Sequence, residues 1–196
     1  GGEGLIRTVV EQSTIPVIKH YKGVCHLYVD EDCDIEEAVK IIVNAKYQRP
    51  SACNALETLL INSKVAPKFI SPFLKAMNEH AIELRGDERI MQWDPEIKSA
   101  TEDDYYTEYL DLVLTVKQVD TLEDAIAHIN KYGSAHTDAI ITRDIDTANA
   151  FIRNTDSASV IVNASTRLAD GSVYGLGAEI GISTDRLHAR GPMGLE

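Results

Sequence analysis

Apolar, β-prone runs and amphipathic helical patterns take turns along almost the whole of this 196-residue chain, and that alternation constrains the fold more than any single residue does. A run at 26–29 is bounded by Gly23 and Asp30 and predicts a strand, with a short extended segment at 15–19 ahead of it. Asp34-Ile35-Glu36-Glu37 has capping-box spacing, with Asp in place of Ser or Thr. It opens a helix to about Tyr47, faced by Ile35, Val39 and Ile42 and by Ala38, Ile41 and Ala45. Residues 58–61 predict a buried strand, and Phe69, Phe73 and Met77 stripe a helix over 66–80 as core. Past an irregular polar stretch at 85–107, strands are predicted at 112–119, 139–142 and 159–163, and helices at 122–132 and 144–154. Strand–helix alternation of this length implies an α/β domain with a mainly parallel sheet flanked by helices.

The chain is long enough for one domain with a substantial core. Its 31 acidic and 19 basic residues give a net charge of −12, a field that argues against nucleic acid or an anionic membrane as partner. No apolar run approaches the roughly 20 residues of a membrane span. Three scattered cysteines, Cys25, Cys33 and Cys53, suit a reducing cytoplasm better than a disulfide framework. The chain opens at Gly1-Gly2-Glu3-Gly4 before an amphipathic run and closes on a turn-like Gly191-Pro192-Met193-Gly194-Leu195-Glu196, so it is expected to be a piece of a larger protein.

Cys53, in Arg49-Pro50-Ser51-Ala52-Cys53-Asn54-Ala55-Leu56-Glu57-Thr58, carries the chemistry of greatest interest. A Pro-Ser helix-start signal followed by good helix formers predicts that the thiol lies in a first helical turn. There the unpaired N–H groups and the helix dipole favour thiolate, and the same N–H groups, at Cys53 and Asn54, can hold an oxyanion. The other reading is a small apolar residue packed at a helix start; the residues alone leave both open. Arg49, Arg167, Arg186, His188 and Arg190 are candidates for holding an anion. Asn163-Ala164-Ser165-Thr166-Arg167 follows a strand, where α/β folds place ligands. The tail glycines at 171, 175, 177 and 181 follow helix–strand units rather than opening a βαβ fingerprint, so they are not read as a dinucleotide site. Cys25, His26 and Cys33, with His20 nearby, do not make a zinc motif: neighbouring strand residues point to opposite faces and no second paired cysteine set exists. No metal is expected, and Cys25 and Cys33 are read as packing residues.

Several long stretches together resemble one family: Ile15-Pro16-Val17-Ile18-Lys19-His20, Gly23-Val24-Cys25-His26-Leu27-Tyr28-Val29-Asp30, Ala52-Cys53-Asn54-Ala55-Leu56-Glu57-Thr58-Leu59-Leu60, Lys131-Tyr132-Gly133-Ser134-Ala135-His136-Thr137-Asp138, Asn163 to Arg167, and the stretch 174–195. In order and over essentially the whole chain they are similar to gamma-glutamyl phosphate reductases (glutamate-5-semialdehyde dehydrogenases) of the aldehyde dehydrogenase superfamily. The resemblance implies an aldehyde-dehydrogenase-like catalytic domain and NADPH-dependent reduction of L-glutamate 5-phosphate to L-glutamate 5-semialdehyde and phosphate, the second step of proline synthesis from glutamate. It implies that Cys53 is the nucleophile that forms a thioester. His20 stands where hydrolytic relatives carry a glutamate base; a reductase must keep water from its thioester, so losing that carboxylate fits reduction. Glu108 aligns with the glutamate that holds the nicotinamide ribose, although its flanks depart from Glu-x-Phe-Gly-Pro. Asn163, Ser165, Thr166 and Arg167 are implied to line the substrate pocket, with Arg167 on an anionic group. The same resemblance divides the chain into a helix at 1–14 from the edge of the cofactor domain and a catalytic domain at 15–196. It leaves the cofactor domain and the C-terminal oligomerisation segment outside the chain. It also implies a cytoplasmic homo-oligomer that contacts glutamate 5-kinase. The alternatives are the reductase half of a bifunctional pyrroline-5-carboxylate synthase and a non-catalytic folding module.

Overall fold

The computed structural model describes residues 2–186 and 189–195. Seven strands form one sheet: β1 (Cys25–Val29), β2 (Leu56–Asn62), β3 (Glu83–Gly86), β4 (Lys98–Ser99), β5 (Val113–Val119), β6 (Thr137–Ile141) and β7 (Ser159–Val162). Their spatial order is β4-β3-β5-β2-β1-β6-β7, and every neighbouring pair is parallel. A short antiparallel pair, β8 (Gly181–Ser183) and β9 (Gly191–Met193), lies in the tail. The helices are α1 (Glu3–Gln12), α2 (Ile35–Tyr47), α3 (Ala66–Glu79), α4 (Glu88–Met91), α5 (Leu122–Tyr132) and α6 (Ile145–Asn154).

The period of two along the central strands explains the three layers. Leu27 and Val29 of β1, Leu59 and Ile61 of β2, and Ala139 and Ile141 of β6 face one core, which Ala38 and Ile42 of α2 and Phe69, Phe73 and Met77 of α3 complete. Tyr28, Leu60 and Ile140, one position out of step, face a second core under Ala125 and Ile129 of α5 and Phe151 of α6. A sheet buried on both faces needs apolar residues at odd and even positions alike, which is why these strands read as unbroken apolar runs. The helix starts follow from short polar side chains. Asp34 accepts the Glu37 N–H at 3.0 Å, and Asp144 accepts the Asp146 N–H at 2.9 Å. Thr121 and Asp124 cap each other's backbone reciprocally.

Two sequence expectations change. The polar stretch at 85–107 is ordered: β3, α4, β4 and a 3₁₀ turn at Glu102–Tyr106 occupy it. Asp104 organises that turn, accepting the Thr101 N–H and hydroxyl at 2.7 Å each, Arg85 at 2.6 Å and the Tyr109 hydroxyl at 2.7 Å. The expected helix at Cys53 does not form. Residues 49–55 make turns, closed by Ala52 N–H to Arg49 C=O at 3.1 Å and Ala55 N–H to Ala52 C=O at 2.9 Å. The good helix formers after Cys53 belong instead to β2, which starts at Leu56 and buries all seven of its residues. Membership of a central strand outweighs local helix propensity.

Candidate active site

In a parallel sheet, all the loops that lead into strands gather at one edge. The segment before β1 carries His20 and Gly23, the turn before β2 carries Cys53, the segment before β5 carries Glu108, and His136 sits immediately before β6. The candidate site is therefore at the amino-terminal edge of the sheet, opposite the edge that the position of Asn163 to Arg167 after a strand would indicate.

One imidazole nitrogen of His20, one of His136 and the Cys53 sulfur all lie within 4.8 Å of one another. The two rings meet edge to face with centroids 5.0 Å apart. His20 Nδ1 is 2.7 Å from the carbonyl oxygen of Ile182 in β8. A carbonyl only accepts, so Nδ1 carries a proton and neutral His20 presents a bare lone pair at Nε2. His20 is held there because the tail strand also lies along its segment, through Thr184 N–H to Lys19 C=O at 3.2 Å and Lys19 Nζ to Asp185 at 3.0 Å. His136 is fully buried, with Nδ1 2.9 Å from the Thr137 hydroxyl. Burial, with His20 as a second cause, pushes its pKa down to about 4, so the ring is neutral near pH 7.

The Cys53 turn is pressed onto its neighbours. An added Cβ at Gly23 would lie 1.8 Å from the Cys53 carbonyl oxygen, so only glycine fits there. The buried Cys25 thiol donates to that same oxygen at 3.3 Å. The turn is bracketed by Lys46 near the end of α2 and Glu57 in β2, both fully buried and joined at 2.6 Å. Burial pushes the Glu57 carboxyl up to about 7, against the pull of Lys46 and of the backbone amides of Leu110 and Tyr109. Those amides belong to the segment that carries Glu108, so one buried ion pair organises α2, the Cys53 turn and the entry to β5.

The Cys53 thiol itself is half-buried, and its pKa is pushed up to about 11. Burial is the main cause; Glu179 and Glu108 add to it, while its own N–H and Arg167 oppose it. The dipole of a helix start, expected to favour thiolate, is absent with the helix. Among the described residues, the N–H groups of Cys53 and Asn54 donate to no backbone carbonyl. The Asn54 side chain is committed elsewhere: its Nδ2 donates to Ala169 C=O at 2.9 Å and its Oδ1 accepts from Arg167. Arg167 also reaches Gln48 at 3.2 Å.

The structure thus brings His20, Cys53, Asn54, Glu108 and Arg167 to one edge. Ser165 caps the 3₁₀ turn Thr166–Leu168, accepting the Arg167 N–H at 3.2 Å, and Thr166 is fully buried. Asn163 is not gathered with the thiol. With φ of 54°, it clips the end of β6, accepting the Thr142 N–H at 2.9 Å and donating to Thr142 C=O at 2.8 Å. Thr142 lies six residues beyond His136, about 20 Å away at the rise of a strand. Arg186 and Arg190 are both paired with Asp156, and His188 lies outside the described residues. Cys25, His26 and Cys33 do not converge: Cys25 opens β1, while Cys33 lies past its other end. Sequence reasoning missed His136, Glu179 and the Lys46–Glu57 pair as parts of the site. The only signal for His136 was a polar residue at the entry to a buried strand.

The parallel sheet covered by helices on both faces matches the fold of aldehyde-dehydrogenase-like structures. The aldehyde dehydrogenase family model matches residues 105–178. Glyceraldehyde-3-phosphate dehydrogenase from Methanocaldococcus jannaschii, solved in complex with NADP, shares the fold at a TM-score of 0.69, with 18% identity over 85% of this chain and 45% of that one. More specifically, the chain resembles gamma-glutamyl phosphate reductases along its entire length. It is 59% identical over 196 residues to the gamma-glutamyl phosphate reductase of Geotalea daltonii, covering 100% of this chain and 47% of that protein. The crystal structure of gamma-glutamyl phosphate reductase from Thermotoga maritima superposes with a TM-score of 0.96 at 47% identity, over 100% of this chain and 47% of that one. The chain spans about half the length of the curated relatives it matches.

Proposed function

We propose that this chain is the catalytic half of a gamma-glutamyl phosphate reductase. It would reduce L-glutamate 5-phosphate to L-glutamate 5-semialdehyde, with release of phosphate, through a thioester on Cys53. The observation that carries the reading is the Cys53 thiol beside a histidine whose Nε2 lone pair is free, in a chain 59% identical to a named reductase.

The half-buried thiol is protonated at neutral pH, so it needs a base; His20 and His136 each bring a ring nitrogen within 4.8 Å, and we assign the role to His20, which is less deeply buried than His136. The Sγ proton passes to His20 Nε2, the sulfur attacks the acyl-phosphate carbon, and the carbonyl electron pair moves onto oxygen. The Cys53 and Asn54 N–H groups, which donate to no backbone carbonyl among the described residues, are the donors we assign to that oxyanion. Collapse breaks the bond to phosphate and leaves the thioester. Arg167, the cation that acts on the Cys53 thiol, is assigned to an anionic group of the substrate. Glu108 lies close enough to influence the thiol, a fitting place for a carboxylate that accepts from a nicotinamide ribose. NADPH, when bound, supplies the hydride that converts the thioester to the aldehyde. His20 then returns its proton to the departing sulfur. With the Cys53 proton held on His20 and no carboxylate at that position, the thioester has no ready base there to charge a water against it.

On this reading α1, none of whose residues is buried, presents its apolar stripe to the cofactor domain. The whole enzyme is a cytoplasmic homo-oligomer that receives its labile substrate from glutamate 5-kinase. No helix among the described residues is long and apolar enough to cross a membrane. The 196-residue chain alone is expected to show no NADPH-dependent turnover; measurable turnover would contradict the division of labour. In the full-length protein, Cys53→Ser should abolish reduction and leave NADPH binding intact. Retained reduction would overturn the assignment.

A further inference from the structure

We infer that His20, Cys53 and His136 form a binding site for one zinc ion, a site that competes with substrate for the thiol. The donor set is what zinc prefers: one sulfur and two imidazole nitrogens. The three donors come from separate loops and already lie within 4.8 Å of one another. In a tetrahedral zinc site, bonds of about 2.3 Å to sulfur and about 2.0 Å to nitrogen set the donors about 3.5 Å apart. Side-chain movements of about 1 Å therefore close the site.

Each histidine is prepared for ligation. His20 has Nδ1 fixed on the Ile182 carbonyl at 2.7 Å, the outer hydrogen bond that orients a metal-binding imidazole and frees Nε2. His136 is completely buried, its Nδ1 is engaged by Thr137, and its Nε2 has no hydrogen-bond partner among the described residues. A buried nitrogen left unpaired is costly, and a metal ion would satisfy it. The surroundings favour a cation: Glu179 and Glu108 are close enough to disfavour negative charge on the sulfur, and a divalent ion reverses that penalty. Binding forms Zn–S and two Zn–N bonds, breaks the S–H bond and releases its proton to solvent. The fourth position remains for water. This set differs from Cys25, His26 and Cys33, which the sequence offered and the fold keeps apart.

Binding of the ion stands independently of the proposed reaction; inhibition by it rests on that reaction. A zinc-held thiolate has its lone pair engaged and cannot attack an acyl phosphate. The test uses the full-length protein, reduced and metal-free, titrated with Zn²⁺ by calorimetry and with Co²⁺ by absorption. One equivalent of each metal should bind, and the cobalt form should show thiolate-to-metal charge transfer in the near ultraviolet. Loss of a group that merely orients a metal ligand costs about 10- to 100-fold in affinity. Cys53→Ser, His20→Asn and His136→Gln should therefore each weaken binding by about 100-fold or more. Cys33→Ser, at the far end of β1, should bind normally and show thiolate-to-cobalt absorption unchanged. Unaltered Zn²⁺ affinity in Cys53→Ser, or cobalt binding without the charge-transfer band, would overturn the site. Should His136→Gln fail to fold, His20→Asn and the cobalt spectrum still decide. Zn²⁺ should also block reduction reversibly, with activity restored by a chelator. Tight, Cys53-dependent zinc binding in a protein without reductase activity would sink the proposed reaction and leave the site standing. Activity unaffected by bound zinc would sink the inhibitory role.

Discussion

Gly23→Ala is the most direct test of whether the seating of Cys53 controls its chemistry. The new methyl would lie 1.8 Å from the Cys53 carbonyl oxygen, 2.6 Å from its carbonyl carbon and 2.8 Å from its Cα. All three are backbone atoms, so no rotamer change relieves the clash. Ordinary contact begins near 3.4 Å, and the Cys53 turn must therefore retreat by about 1.6 Å or the Gly23 strand entry must shift. Overpacking of this kind costs about 1–3 kcal/mol. The retreat also pulls the Cys53 oxygen from the Cys25 thiol, now 3.3 Å away. A misplacement of about 1 Å at a reacting group can cost about 100-fold in rate. The expected outcome in the full-length protein is kcat for reduction lowered by about 100-fold. KM for the acyl phosphate should change far less, and Tm should fall by several degrees. Steady-state kinetics and thermal melts on the same preparations give both numbers. An alanine variant with kcat within about threefold of the parent would refute the claim that this close approach fixes the nucleophile.

The buried ion pair gives a second test: Lys46→Met strands Glu57 without its partner and should cost about 3–5 kcal/mol in urea unfolding, while Lys46→Met with Glu57→Leu should recover most of that loss. The buried histidines make stability acid-sensitive. His136 is depressed to about 4 and His128 to about 2, both mainly by burial, so their contribution is present above pH 6.5 and is lost as pH falls toward those values. For His136 the loss by about pH 4 is on the order of 3 kcal/mol, and His136→Gln should flatten the fall in urea midpoint between pH 7 and 4.5. In the 196-residue chain, a Cys53 pKa of about 11 against 9.0 for an ordinary thiol lowers the thiolate fraction about 100-fold at neutral pH. The greater nucleophilicity of the more basic thiolate restores about tenfold, so alkylation should run about tenfold slower than for a small thiol. Arg167→Ala should slow it further and Glu179→Gln should speed it; a rate above that of the small thiol would contradict the burial argument.

What the sequence made legible was what local periodicity encodes. The helix at Leu122–Tyr132 was readable because its cap, its apolar face and its polar face agree along one segment. The core roles of Phe69, Phe73 and Met77 followed from the same spacing. The strand at Glu83–Gly86 was not readable, because four residues with one buried leucine carry too little pattern; its pairing with β5 and β4 defines it. Cys53 was legible as a residue of interest and misread as to backbone, since Ala55, Leu56 and Glu57 satisfy helix propensity until β2 claims Leu56 and Glu57 for the sheet.

The site depended on something more remote still. His20, Cys53 and His136 are separated by 33 and 83 residues, and only the parallel pairing of β1 with β2 and of β1 with β6 sets their loops side by side. Registers such as Cys25 opposite Leu56 and His26 opposite Asp138 carry the loop preceding each strand to the same height. A one-residue slip in either pairing would turn every side chain of that strand to the other core, so the two apolar cores hold the register against the slip. The chemistry at the amino-terminal edge is thereby fixed by packing within the sheet, far from any residue that performs it. Asn163 shows the converse. It follows β7 directly, yet the same register carries it to the opposite edge, where its amide clips Thr142 and closes the end of β6. Asn163→Ala should therefore lower stability by about 1–3 kcal/mol through two lost backbone bonds while leaving Cys53 alkylation unchanged. A marked change in alkylation rate with little change in unfolding midpoint would place this residue at the site after all.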